Sequence, residues 1–296
     1  MPELPDITVY CESLERLLAG ATLKRLQVQN AFVLRSFDPP VAALAGKRLT
    51  HTERIGKRIL LGFEEDLFAV VHLMIAGRLK WVPDGGKGAT NKATLARFEF
   101  DSGTLLLTEA GSKRRASIHV VRGRGALAAH DPGGVDPLAC DVDEFVQRVL
   151  RENHTLKRTL TDPHLFSGIG NAYSDEILHA ARLSPLMLSQ KLSREEVVRL
   201  HAATQEVMSI WLSRLRREAV ETSGGMPEKV TAFRPEMAVH GKFKQPCPEC
   251  GTLVARIVYS ENECNYCPRC QTGGKLLADR ALSRLLKDSW PKSIDD

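Results

Sequence analysis

Five of the seven cysteines fall within 24 residues near the C-terminal end: Cys247, Cys250, Cys264, Cys267 and Cys270. Cys247-Pro-Glu-Cys250 is followed, after sixteen residues, by Cys267-Pro-Arg-Cys270. Two close thiolate pairs on two turns bring four sulfurs to the corners of a tetrahedron, the geometry zinc accepts in closed structural sites. The segment between them contains VARIVYS and suits a hairpin linking the two knuckles. Cys264, three residues before Cys267, offers an alternative sulfur, although 247/250/267/270 is the symmetric set. A closed site of this kind holds a fold together and does no chemistry of its own.

The first six residues, MPELPD, suggest chemistry of another kind. Removal of Met1 would leave Pro2 as a free secondary amine. An α-amino group with a pKa of ~7.7–8 is neutral in about a tenth or more of molecules at pH 7. Such an amine attacks electrophilic carbon, and a secondary amine gives an iminium directly. Glu3, beside it, is a candidate acid/base. Taken alone, the segment reads more readily as a proline-rich lead into a helix with Asp6 as its N-cap.

Two further features suit a polyanion. Gly168-Ile-Gly170-Asn171-Ala-Tyr173 enters a helix, where backbone N–H groups and the positive dipole end favour phosphate; a tight helix–helix turn explains the same glycines equally well. Lys113, Arg114, Arg115, Arg122 and Arg124 occur with no acid between Ala110 and His130, and Arg54, Lys57 and Arg58 cluster at a turn beside Gly56. Either cluster can bind phosphates, although a charge run is more often a solvated face.

The elements that must position these residues change character along the chain. Residues 7–19 have helical spacing at Tyr10, Leu14, Leu17 and Leu18, ended by Gly20. From about 21 to 125, LKRLQVQ, KRILLGF, LFAVVHLMI, RLKWV, ARFEF and TLLLTE read as short strands, most economically as two stacked sheets. HDPGGVDP (130–137) is a turn-rich hinge. Beyond it Phe145/Val149/Leu150, Leu156/Leu160 and Tyr173/Ile177/Leu178/Ala181 mark three helices. A long fourth starts at a capping box, Ser193 with Glu196, and carries the stripe Val197, Leu200, Thr204, Val207, Trp211 and Leu215. Residues 222–238 read as an exposed loop. The resulting divisions are 1–130 (β-sandwich), 138–222 (helical), 239–273 (zinc finger) and a C-terminal extension, 274–296, with an amphipathic helix candidate in GGKLLADRALSRLLKDSW.

Composition bounds the whole. The chain has 296 residues, 41 Lys+Arg against 36 Asp+Glu, a net charge of +5 and 43% hydrophobic residues. This excludes a disordered or fibrous chain. The longest apolar stretch, Leu67 to Gly77, is interrupted by His72 and falls short of the ~20 residues a membrane span needs. No basic-then-apolar leader opens the chain, so a cytoplasmic, non-secreted protein is expected. An odd cysteine count in that setting favours metal over disulfides.

Taken in order, MPELPD, GIGNAYSDEIL and CPECG…YCPRCQ resemble the formamidopyrimidine-DNA glycosylase/endonuclease VIII family of base-excision repair enzymes. The resemblance spans about residues 1–271. It implies an α+β multidomain fold: an N-terminal β-sandwich, a helix–two-turn–helix domain and a C-terminal zinc finger. It also implies a damaged-base glycosylase with abasic-site lyase activity, acting as a monomer on double-stranded DNA, with one structural zinc and no small-molecule cofactor. Pro2 would attack C1′ of the damaged nucleoside and Glu3 would supply the proton that opens the sugar. Lys57 matches the hairpin lysine that contacts phosphate and assists elimination, and joins Pro2 and Glu3 as a catalytic candidate. Lys157 and Asn171 match DNA-contacting positions of the helical domain, and Arg115 a backbone-binding arginine. Arg114 matches a void-filling position, or Lys113 if the register shifts by one.

This chain departs from the family at several places. Asp6 stands where Glu is usual, and Ile75 where a void-filling Met is usual, with Met74 adjacent. The wedge Phe is replaced by Arg115 or Ala116. No His occurs between Leu73 and Ile118. Asn262 falls at the position of the zinc-finger arginine tied to δ-elimination, with Arg256 and Arg269 as nearby basic residues. These departures motivate a rival reading, a non-enzymatic DNA-binding protein on the same scaffold; a zinc-ribbon interaction module is a third.

Overall fold

The amino-terminal helix begins three residues earlier than its apolar spacing predicts. In a computed structural model of the chain, α1 spans Leu4–Leu18. Its N-cap is Glu3, not Asp6; Asp6 is the third helical residue. Pro5 is tolerated in the first turn because the N–H it lacks has no intrahelical partner there. The structure describes all residues except 85–90, 112, 223–224, 228–229, 231–232, 260–261, 278–291 and 296. The helix proposed for the C-terminal extension therefore lies largely outside the described residues.

Two compact units are present. The first comprises Met1–Pro132 and Trp211–Val230, the second Gly133–Ile210 and Thr231–Asp296. In the first, α1 is followed by β1 (Thr22–Val28), β2 (Lys47–Ile55), β3 (Arg58–Phe63), β4 (Leu67–His72), β5 (Gly77–Pro83), β6 (Thr94–Phe100), β7 (Gly103–Glu109) and β8 (Ser117–Arg122). Every described pairing between them is antiparallel, in the order β5-β7-β6-β1-β2-β3-β4-β8. The halves β5-β7-β6-β1 and β2-β3-β4-β8 join through only two register pairs, Thr22↔Arg48 and Leu23↔Lys47. Both halves contribute to one core with α1, in which Ile7, Tyr10, Leu14, Ile59, Leu61, Val71, Phe98, Leu105 and Val120 are buried. The two sheets expected from the sequence are thus hydrogen-bonded into one folded-over sheet.

β3 and β4 read as apolar runs rather than alternating strands because both of their faces are covered. Ile59, Leu61 and Ala69 face the main core. Leu60, Phe68 and Val70 face a second cluster with Leu127, from the 3-10 turn Arg124–His130.

In the second unit α2 (Val142–Leu150), α3 (Leu156–Thr161) and α4 (Asn171–Ala180) match the expected helices. α5 (Arg194–Glu221) starts at the predicted capping box: Ser193 N–H donates to Glu196 Oε2 (2.9 Å) and Glu196 N–H to Ser193 Oγ (3.2 Å). Its stripe buries Met208 fully, whereas Val207 is half-buried. β9 (Ala255–Tyr259) and β10 (Asn262–Tyr266) form the hairpin between the cysteine pairs, and α6 (Pro268–Thr272) follows. The expectation that 222–238 is an exposed loop is corrected. Met226 and Val230 are buried in the first unit's core, and Arg234 and Met237 are buried in the second unit. Gly, Pro and charge dominate that stretch and mask its few apolar anchors. Among the described residues no helix is long and apolar enough to cross a membrane.

Candidate active site and metal centre

α1 delivers the amino end of the chain. Thr52 Oγ1 donates to the Cys11 carbonyl (2.7 Å) and Thr52 N–H to Glu15 Oε2 (2.6 Å), which pins α1 to β2. At the helix start, Glu3 N–H donates to Asp6 Oδ2 (2.9 Å) and the Glu3 carboxylate accepts the Asp6 N–H. Pro2 is buried, and Glu3 and Asp6 are only 2% and 5% exposed. The Met1 amino group stands in for the Pro2 amine that removal of Met1 would expose. Burial holds it below its ordinary value, helped by the charges of Arg78 and Lys57 and opposed by Glu3 and Asp6. A lowered amine is neutral in a larger fraction of molecules, which is what a nucleophile requires.

Lys57 reaches this neighbourhood from the tip of a hairpin. Gly56 and Lys57 form the turn after the Ile55↔Arg58 rung of β2 and β3, and Gly56 takes φ +58°, a left-handed conformation that glycine adopts without strain. Arg54 Nη1 donates to the Gly56 carbonyl at 3.0 Å. Arg78 is a residue that sequence reasoning missed. It lies at the start of β5, and its guanidinium donates to the carbonyls of Ile75 (3.2 Å) and Gly77 (2.6 Å). Nothing in its local sequence sets it apart; the β4–β5 turn brings it in.

That turn also presents Ile75, which is 58% exposed, whereas Met74 beside it is only half-exposed. Gly77 allows the tight return: a Cβ there would lie 2.3 Å from the Leu73 carbonyl oxygen. His72, at the end of β4, is held down to about 4 by burial and by the charges of Arg58, Lys57 and His119.

Arg114 and Arg115 are both exposed. Their segment is anchored by Glu109, 1% exposed, whose Oε2 accepts the N–H groups of Arg115 (2.8 Å) and Ala116 (2.9 Å). Arg114 Nη2 donates to the Lys92 carbonyl (2.6 Å). Ala116 is buried in the core, whereas Arg115 beside it is exposed.

In the second unit Lys157 and Asn171 are brought together. Lys157 Nζ donates to the Asn171 carbonyl and to Asp175 Oδ1, both at 2.6 Å, and Asn171 Nδ2 donates to the Glu263 carbonyl at 2.9 Å. Asp175 is wholly buried; burial alone would raise it, but Lys157 and His240 hold it below the usual carboxylate range. Sequence reasoning missed Asp175 and Glu176, whose signal is two adjacent acids inside the helix, directly before the apolar Ile177 and Leu178.

The four-cysteine set is assembled as predicted. The sulfurs of Cys247, Cys250, Cys267 and Cys270 lie within 4.8 Å of one another, and Cys264 is not among them. Cys247–Cys270 is 3.9 Å and Cys250–Cys267 is 3.4 Å. A tetrahedron with zinc–sulfur bonds of ~2.3 Å has edges of roughly 3.8 Å, so the donor set and spacing fit a zinc ion. Burial raises the Cys250 thiol, yet bonds from Thr252 and from its partner thiols outweigh that and bring it to about 6. Arg256, which pairs with Asn265 in the hairpin ladder, contacts Glu263 (3.2 Å) and stacks over Phe243. Arg269 donates to Thr252 Oγ1 (3.1 Å). The isolated Cys11 and Cys140 are buried, which pushes their thiols up to about 12 and 11.

The profile of the formamidopyrimidine-DNA glycosylase N-terminal domain matches residues 1–116, and that of the formamidopyrimidine-DNA glycosylase H2TH domain matches residues 134–223. A formamidopyrimidine-DNA glycosylase of Rhodococcus jostii is 32% identical over 290 residues, covering 92% of this chain and 96% of its own. One from Exiguobacterium sibiricum is 30% identical over 289 residues, covering 92% and 99%. Among solved structures, the Lactococcus lactis Fpg in complex with DNA containing an abasic site superimposes with a TM-score of 0.80 at 20% identity, covering 91% of this chain and 99% of that one.

Proposed function

The chain belongs to the formamidopyrimidine-DNA glycosylase/endonuclease VIII family, and on that premise we propose that it excises oxidised bases from DNA and nicks the abasic site it creates. The observation that carries the reading is the setting of the amino end, buried among Glu3, Asp6, Lys57 and Arg78 with its amine lowered. After loss of Met1, the Pro2 nitrogen attacks C1′ and the glycosidic C–N bond breaks. The proton shed by the amine leaves with the base. Glu3 then protonates O4′ as the C1′–O4′ bond opens, giving an iminium between Pro2 and C1′. The iminium acidifies C2′; the Glu3 carboxylate left by the previous step takes that proton as the C3′–O bond breaks and the 3′-phosphate leaves, and water later releases the sugar fragment from Pro2.

Before C1′ is reachable the nucleotide must leave the stack, which costs a few kcal/mol and least at a damaged pair. Lys57, which also assists elimination, and Arg115 are assigned to backbone contacts in the first unit, and Lys157 and Asn171 in the second; Arg114 is assigned to the void left by the extruded base. Ile75 is assigned to the void left by the extruded base, because it is the exposed apolar side chain of its turn. Cys247, Cys250, Cys267 and Cys270 would hold one structural zinc, which supplies folding energy and no chemical step.

With Asn262 at the finger-arginine position, β-elimination should outrun δ-elimination. A panel of single-lesion oligonucleotides, duplex and single-stranded, followed by a gel of product ends, tests both halves of this. Excision of at least one oxidised base with mainly unsaturated-aldehyde 3′ ends supports the proposal. No excision on any lesion contradicts the first half, and dominant 3′-phosphate ends contradict the second. The non-enzymatic alternative draws on the missing wedge Phe, with Arg115 or Ala116 in its place, and on Ile75 and Asn262; it predicts salt-dependent DNA binding without excision.

A further inference from the structure

One face of α4 is polar and yet largely buried: Asp175 and His179 are buried and Asn171 is half-buried. Asn171, Asp175 and His179 recur every four residues, which stacks them along a single side of the helix. Each engages the cysteine-bearing segment. Asn171 Nδ2 donates to the Glu263 carbonyl (2.9 Å). Asp175 Oδ2 contacts His240 Nδ1 (2.7 Å) and accepts the Asn265 N–H (3.1 Å). Glu176, the residue after Asp175, accepts three consecutive N–H groups, from Ala238 (2.7 Å), Val239 (2.9 Å) and His240 (2.9 Å). At the end of the row His179 Nε2 lies 3.2 Å from Cys247 Sγ; the two residues are 6% and 2% exposed.

Resting on the reading of the four cysteines as a zinc site, we propose that His179 is an outer-sphere donor to that centre, its Nε2–H bonding the Cys247 thiolate and tying α4 to the metal. A metal-bound thiolate only accepts hydrogen bonds, so the ring nitrogen facing it must carry the proton. Four thiolates around a dication leave an excess of two negative charges. A buried N–H aimed at one of them spreads that charge and makes the sulfur a poorer target for a competing proton or chelator. The same bond fixes the far end of the helix that begins at Asn171.

The test uses the full-length metal-loaded protein. Zinc release to a chromogenic chelator is timed for wild type, His179→Leu and His179→Gln. His179→Leu should release zinc at least about ten-fold faster, in keeping with outer-sphere substitutions elsewhere. His179→Gln, whose amide N–H can point the same way, should stay close to wild type, and the metal-free forms should melt together. Equal release from all three, or His179→Gln as fast as His179→Leu, overturns the proposal. A wild-type measurement stands independently of whether the variants fold: long-range ¹H–¹⁵N spectra of the zinc protein should show His179 protonated on Nε2, and protonation on Nδ1 overturns it. Wild type that holds no stoichiometric metal removes the zinc reading itself; wild type that holds metal with release indifferent to residue 179 removes this proposal alone.

Discussion

Glu3 and Asp6 cap each other: the Glu3 N–H donates to Asp6 Oδ2 at 2.9 Å, and the Glu3 carboxylate accepts the Asp6 N–H in return. The exchange fixes the backbone one residue beyond Pro2. The short Asp6 side chain reaches back far enough to close the box. Asp6→Ala removes the acceptor for a buried N–H. It should cost about 1 kcal/mol in urea unfolding and slow formation of a borohydride-trapped adduct. Unchanged stability together with unchanged trapping would mean that the box does not hold the amino end.

Burial lowers the terminal amine first, and the charges of Arg78 and Lys57 lower it further. Lys57→Ala or Arg78→Ala removes a positive neighbour and so raises the amine's pKa. The acid limb of the single-turnover trapping rate should then move to higher pH in each variant. A limb that stays fixed while the rate falls would assign these residues to DNA contact alone.

Acid should destabilise the protein through His72. Its native value is about 4 because of burial, Arg58, Lys57 and His119, against an unfolded value of ~6.5. The unfolded chain therefore binds a proton that the native one refuses. The associated stability is complete above about pH 6.5 and is lost as the pH falls from there towards 4, by roughly 3 kcal/mol at most. Urea midpoints between pH 7 and 4.5 should fall less in His72→Gln than in wild type. Parallel curves would rule His72 out as the origin.

Asp175 and Lys157 form a buried pair at 2.6 Å, the carboxylate fully covered and the lysine side chain 13% exposed. Removing one partner strands the other charge. Asp175→Ala should cost about 3–5 kcal/mol in denaturant unfolding, and adding Lys157→Met should recover much of it. Additive losses would show that the two charges are not coupled.

Local signals carried the parts of this protein that could be read before folding. Four cysteines with fixed spacing name a metal site because each pair sits on one turn. The Ser193/Glu196 box marks the start of α5 because both partners lie within four residues. The sequence points to Asp6 as the cap of α1 because aspartate is a stronger N-cap former than glutamate, and only the folded turn shows Glu3 in that place with Asp6 reaching back. Arg78 was invisible because its role depends on the β4–β5 turn. Beyond its acidic neighbour nothing local marks Asp175, because its partners Lys157 and His240 lie 18 and 65 residues away. The buried anchors Met226, Val230 and Met237 were hidden by the glycines, prolines and charges around them.

The central claim is that the mature amino end is the nucleophile. Purified, active protein is incubated with abasic duplex DNA and borohydride, digested, and the cross-linked peptide is sequenced by tandem mass spectrometry. The account predicts chains that begin at Pro2, with the reduced deoxyribose remnant on the Pro2 nitrogen. An adduct on Lys57 or another lysine, or full activity from chains that retain Met1, would contradict it.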